Sequence, residues 1–119
     1  MADASGSSLP LHPRIFMILV SLSQGPAHGY QIKKAVEERS EGVVRLDAGS
    51  LYRSMAKLLD EGLIMETDER PGPEDDDPRR RYYELTEAGR RIAAAEALRL
   101  DRLLGIARVH LGEAMEGTS

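Results

Sequence analysis

A long helix that carries an apolar seam and follows a complete small domain must bury that seam against something, and the C-terminal segment of this chain reads as such a helix. Thr86 is placed to cap it, Glu87 sits favourably near its N-terminal dipole, and the helical pattern continues to about Met115. Within it Ala93, Ala97, Leu100, Leu104, Ala107, Leu111 and Ala114 recur in alternating steps of four and three, a heptad spacing that Leu103 and Ile106 widen. The pattern predicts a homodimer. Small residues in the seam make a weak zipper on their own, so the first helix is expected to add Ile15, Phe16 and Leu19 to the same interface. Folding of the seam back onto its own domain is the competing reading.

The 119 residues allow one small domain with an appendage, not two independent cores. Aromatic residues are only 4%, so the core has to come from Leu, Ile, Val, Met and Ala, which suits packed helices. After Pro13, the spacing of Ile15, Phe16, Ile18, Leu19 and Leu22 predicts a helix closed by Gly25 and Pro26. Ile32, Ala35 and Val36 share one face of a second helix over Gly29 to Arg39, which Gly42 ends. Asp47 is a good cap for a third helix, with Leu51, Met55, Leu58 and Leu59 on one face and Gly62 at its end. Its other face carries Ser50, Arg53, Ser54 and Lys57 at i, i+3, i+4 and i+7, two hydroxyls and two cations in a stripe. Leu63 to Thr67 and Arg81 to Leu85 read as a two-stranded hairpin around a loop rich in proline and acid.

Three helices, a hairpin and a long helix, in that order, describe a mainly α fold with a two-stranded β-wing: a winged helix-turn-helix with a dimerisation arm. The expected division is a disordered tail over 1–8, a DNA-binding domain over 9–86, the dimerisation helix over 87–116 and a short tail over 117–119. The net charge of −4 is unusual for a nucleic-acid binder until the acids are located. Seven of them stand against Arg70 between Glu66 and Asp77, a local −6 that leaves +2 on the rest of the chain. Four consecutive acids, Glu74 to Asp77, in a proline-rich loop cannot easily converge on one metal ion. The absence of cysteine excludes disulfides, thiolate nucleophiles and cysteine-based zinc sites. No nucleophile–base pair or glycine-rich phosphate loop points to an enzyme, and no cofactor is implied. The longest apolar stretch, Ile15 to Leu22, is too short to span a bilayer and lacks the pattern of a signal peptide, which fits a soluble, cytoplasmic protein.

Four motifs carry a resemblance. They are Gly25-Pro26-Ala27-His28-Gly29-Tyr30, Gly49-Ser50-Leu51-Tyr52, Leu58-Leu59-Asp60-Glu61-Gly62-Leu63-Ile64 and Arg80-Arg81-Tyr82-Tyr83-Glu84-Leu85-Thr86-Glu87-Ala88-Gly89. In this order and spacing, covering about Leu11 to Arg91, they resemble the PadR family of bacterial transcription regulators. The resemblance implies a repressor that binds double-stranded DNA as a homodimer, with the third helix in the major groove and the wing beside the backbone or minor groove. On that basis Ser50, Leu51, Tyr52, Arg53, Ser54 and Lys57 are the expected contacts of the third helix. His28, Gly29, Tyr30 and Lys33 are expected to meet phosphate at the start of the second helix, and Arg79, Arg80 and Arg81 from the wing. The wing departs from the family's common Gly-Arg-Pro-Arg-Lys-Tyr-Tyr run: here Asp77-Pro78-Arg79-Arg80-Arg81-Tyr82-Tyr83 keeps the charge and loses the glycine. Relatives that release DNA on binding a small apolar or aromatic compound imply an effector site, for which Phe16, Met17 and Leu103 are candidates.

Each reading has a plainer rival. The stripe on the third helix can be a solvated face, Tyr30 and Tyr52 can pack between helices, Leu51 can be core, and His28 is more often a capping histidine than a ligand. The alternative function is a winged-helix protein-interaction module whose acidic wing binds a basic partner without DNA.

Overall fold

Proline at the first position of a helix lacks only an N–H that would have had no partner there, and α1 (Pro13–Leu22) starts on Pro13 with His12 as its cap. The computed structural model describes residues 9–71 and 77–118 of the chain. The expected tail over 1–8 and the acids Glu74 to Asp76 of the wing lie outside the described residues. After α1 come β1 (Ala27–His28), α2 (Gly29–Arg39) and α3 (Ala48–Asp60). Gly62, at φ +73°, supplies the left-handed turn that ends α3 and sends the chain into β2 (Ile64–Thr67). Then β3 (Tyr82–Leu85) returns antiparallel to β2, and Thr86 caps α4 (Glu87–Glu116) by accepting the Gly89 N–H at 3.0 Å.

The wing has a third strand. The sheet order is β1-β3-β2, with Ala27 opposite Tyr83 and His28 opposite Tyr82 on one side, and Ile64 opposite Leu85 through Thr67 opposite Tyr82 on the other. A two-residue strand has no alternation to read, so a hairpin of two strands is all that the chain's periodicity announces.

Helix α1 sits at the centre. Its Ile18, Leu19 and Leu22 meet Ile32 and Val36 of α2, Leu46 of the following loop, Leu58 of α3, Leu63 and Ile64 at β2, and Ile92 of α4. Two expectations about the dimer interface are corrected by this packing. Ile15 and Leu19 are buried inside the protomer, because α1 is flanked by α2, α4 and β3 and its apolar stripe is used up there. Phe16, Met17 and Ala93 are half-buried against the same core. Leu59, expected on the core face of α3, is partly exposed instead.

Only the first turns of α4 belong to that core. Gly89, Ile92 and Glu96 are buried, whereas Leu100, Leu103, Leu104, Ile106 and Leu111 remain exposed on the single chain. The radius of gyration is 16.0 Å, against about 13.5 Å for a compact domain of this length. The excess is the projecting arm. At its root Glu96, 2% exposed, accepts the Leu11 N–H at 2.9 Å and two hydrogen bonds from Arg99. The Arg99 guanidinium, followed by the Leu11 N–H, holds this carboxyl below the usual range of a glutamate. Among the described residues no helix is long and apolar enough to cross a membrane.

Candidate nucleic-acid interface

Helix α3 owes its start to Asp47, whose Oδ1 accepts the Ser50 N–H at 2.7 Å. That hydrogen bond, the Ser50 hydroxyl and the nearby Arg53 charge hold the Asp47 carboxyl below its ordinary value. The stripe read from the sequence divides in two here. Ser50 and Ser54 are buried, 8% and 7% exposed, because they share the i, i+4 row that ends in the core residue Leu58 and turn toward the start of α1. Leu51 also points inward, packed on the core and 3.5 Å from where a side chain on Gly29 would begin. What α3 presents outward is Tyr52, 77% exposed, with Arg53 and Lys57, the latter paired to Glu61 at 3.1 Å. Of six residues expected to contact DNA from this helix, three face outward, and the serines and Leu51 do not.

At the start of α2, His28 is a structural residue. Its Nδ1 accepts the Gln31 N–H at 3.4 Å while Gln31 Oε1 accepts the His28 N–H at 3.1 Å, a reciprocal capping pair. The ring stands edge-on to Tyr82 and its Nε2 lies 3.3 Å from Arg80 Nη1, so a buried cap joins α2 to the wing. His28 therefore positions its neighbours and does not itself reach solvent. Tyr30 is exposed, and Lys33, half-exposed, faces Glu37 at 3.7 Å. Gly29 precedes both as the first residue of α2, half-buried.

The wing brings its three arginines to the surface, each with a neighbour. Arg79 meets Asp77 at 3.2 Å, Arg81 meets Glu66 of β2 at 3.6 Å, and Arg80 lies beside His28. Arg70 is a structural neighbour of these arginines that the sequence motifs do not include. Its guanidinium donates to the carbonyls of Asp77 and Arg80, both at 2.6 Å, and covers the Tyr82 ring at 4.6 Å, closing the base of the wing. The signal was available: Arg70 is the one cation in an acidic run, on the chain segment opposite the arginine-tyrosine stretch. Burial, then the charge of Glu66, raises the Tyr83 phenol above the usual tyrosine range, so it stays a hydrogen-bond donor at neutral pH.

Helix α3 thus presents an outward tyrosine and two cations, and the wing presents its arginines. Residues 18–95 match the family model described as the transcriptional regulator PadR-like family. The chain belongs to this family. A PadR family transcription regulator from Clostridium difficile has the same fold at TM-score 0.71, with 24% identity over 84% of this chain and 99% of that one. Bacillus subtilis PadR, whose structure is in complex with operator DNA, is similar at TM-score 0.56 and 25% identity over 68% of this chain. The match spans 44% of that PadR, so this chain is matched to less than half of its relative. A 37.1 kDa protein in transposon TN4556 of Streptomyces fradiae is 37% identical over 89 residues, where this PadR-family chain spans 23% of the relative's length.

Proposed function

We propose that this PadR-family chain is a sequence-specific DNA-binding repressor that occupies a palindromic operator as a homodimer. The observation that carries the reading is the outward face of α3, where Tyr52, Arg53 and Lys57 stand clear of the core beside the arginines of the wing. In this assignment residues 9–86 bind DNA and α4 pairs two copies through Ala97, Leu100, Leu104, Ala107 and Leu111, with Ala93 at the root of the seam. The exposed apolar run along the arm supports the second copy as its occupant, because heptad spacing matches one helix to another of its kind. Arg53 is suited to grip a guanine edge with two donors, and Tyr52, Lys57, Tyr30, Lys33 and the arginines 79 to 81 to meet the backbone. Binding of chromosomal DNA sets the place of action in the cytoplasm. The proposal extends to release by a small apolar ligand where α1 meets the arm, with Phe16, Met17 and Leu103 as its apolar neighbours. Calorimetry with candidate ligands, read against operator affinity, tests that extension.

Selection on a random duplex library followed by gel shifts tests the main reading. The expected product is a palindrome with half-sites about 34–36 Å apart, one helical turn, bound by two chains. Replacing both Arg53 and Lys57 by Ala should remove at least about 2 kcal/mol of specific binding, at 1–3 kcal/mol for each strong base contact. Undiminished binding by that double variant would reject the assigned face. One observation favours a second reading, a protein-interaction module: Arg79 and Arg81 already face acids of their own wing. Failure of the library to yield any enriched sequence at low salt would favour it.

A further inference from the structure

Where the start of α1 crosses α3, the fold encloses a groove of about 290 Å³ lined by His12, Arg14, Ser50, Arg53, Ser54 and Lys57 over the side chain of Ile15. Each polar side chain that lines it carries a donor, that of Ser50 being given to the Asp47 carbonyl at 3.2 Å, and no acid is among the lining residues. The two acids nearest its cations lie outside: Glu61 pairs with Lys57 at 3.1 Å, and Asp47 lies within electrostatic reach of Arg53. Arg14 makes no ion pair among the described residues. His12 accepts the Arg14 N–H through Nδ1 at 3.1 Å, so its neutral ring carries the proton on Nε2 and its free edge is a donor. Ser54 is 7% exposed, and its hydroxyl has no hydrogen-bond partner among the described residues. An accessible hydroxyl with no hydrogen bond of its own, set in a groove rimmed by cations, describes a site for an oxyanion.

We propose that this groove is a phosphate site: it seats a phosphate of the DNA backbone flanking the segment that α3 faces, with Arg14 as the principal cation and Ser54 as the donor at the floor. The inference rests on the DNA-binding reading for the identity of the occupant, and on the groove alone for its chemistry. Arg53 and Lys57 belong both to the groove and to the outward side of α3, so an anion held here is continuous with a strand lying across that helix. The volume is about ten times the share of one water molecule in the liquid, room for a phosphate with its own hydration. His12 and Arg14 contribute from a segment far from α3 in sequence, so each protomer gains contacts that the third helix cannot supply. A free phosphorylated compound presents the same oxygens and would compete for the same donors.

The test measures affinity of the full chain for a labelled duplex as a function of salt, for the wild type, Arg14→Ala and Ser54→Ala. In parallel, inorganic phosphate is titrated at constant ionic strength while the amide signals of Arg14 and Ser54 are followed. Loss of one backbone contact per protomer should lower the salt slope by about 0.9 each, close to 2 for a dimer, and weaken all sequences alike. That result for Arg14→Ala, with a smaller affinity loss for Ser54→Ala, supports the DNA backbone as occupant. An unchanged slope together with saturable phosphate shifts that vanish in Arg14→Ala supports the site and assigns it to a free phosphorylated ligand. An unchanged slope with no phosphate shifts overturns the proposal, and if Arg53→Ala still weakens the duplex in that case, the DNA-binding reading survives it. Should the wild type bind no duplex at all, the DNA reading fails and the phosphate titration alone decides the groove.

Discussion

Two glycines of α4 have opposite expected responses to alanine. At Gly89 a Cβ would overlap the Leu63 carbonyl oxygen by more than an ångström and would stand 2.8 Å from Leu85 Cδ1 and 3.0 Å from the Leu63 carbonyl carbon. That carbonyl cannot simply retreat, because it accepts the Thr86 N–H at 3.1 Å while Thr86 Oγ1 donates to the Gly62 carbonyl at 2.7 Å. The replacement gains about 1 kcal/mol of helix propensity. Against it stand overpacking of at least about 3 kcal/mol, the upper end for one inserted group because backbone is struck, and a weakened hydrogen bond of about 1 kcal/mol. The net expectation for Gly89→Ala is a loss of roughly 3 kcal/mol. At Gly105 a Cβ meets nothing within 4 Å, so Gly105→Ala should gain about 0.5–1 kcal/mol. Urea denaturation followed by circular dichroism, at fixed protomer concentration so that the proposed association of two chains adds no shift, separates the two. At a slope of about 1.5 kcal/mol per molar urea, the Gly89→Ala midpoint falls by about 2 M. A Gly89→Ala midpoint at or above that of the wild type would refute the claim that α4 must approach Leu63 so closely.

Glu96→Gln should cost roughly 2 kcal/mol through its weakened charge-assisted hydrogen bonds. Because the folded carboxyl is held below its unfolded value, the stabilisation is present at neutral pH and fades as pH falls from the ordinary glutamate range through the lower folded value; urea midpoints between pH 7 and 3 should decline less steeply in the variant. Leu100→Glu with Leu104→Glu, both exposed on the single chain, should leave helix content intact and shift sedimentation from dimer to monomer; an unchanged dimer would place the interface elsewhere. His28→Ala removes the cap of α2 and the link to Arg80, and a thermal melt should report a loss of about 1–2 kcal/mol.

Much of this architecture was legible because its signals are local. The limits of α2, the Asp47 and Thr86 caps and the Gly62 stop involve residues within four positions of one another, so propensity and capping rules apply directly. The candidate site was legible only in part. Periodicity put Ser50 and Ser54 on a polar stripe with Arg53 and Lys57, but which edge of that stripe meets water depends on where α1 crosses α3. For His28 the motif pointed to phosphate and the residue type to a cap, and the fold makes it a cap, drawn by β1 in beside Tyr82. Glu96 left a trace, an acid on the stripe of Gly89 and Ile92 with an arginine three residues on, yet its partner at Leu11 has no sequence signature.

By itself, the sequence determined the order and type of the helices and the hairpin, and the family, since each depends on neighbours along the chain or on motif order. Tertiary structure alone decided the third strand, the burial of the serines, the close approach at Gly89, the clamp between Leu11 and Glu96 across 85 positions, and the groove that joins Arg14 to α3. These all join distant residues, and which of them meet is set by the packing of whole faces, to which no single residue's propensity is sensitive.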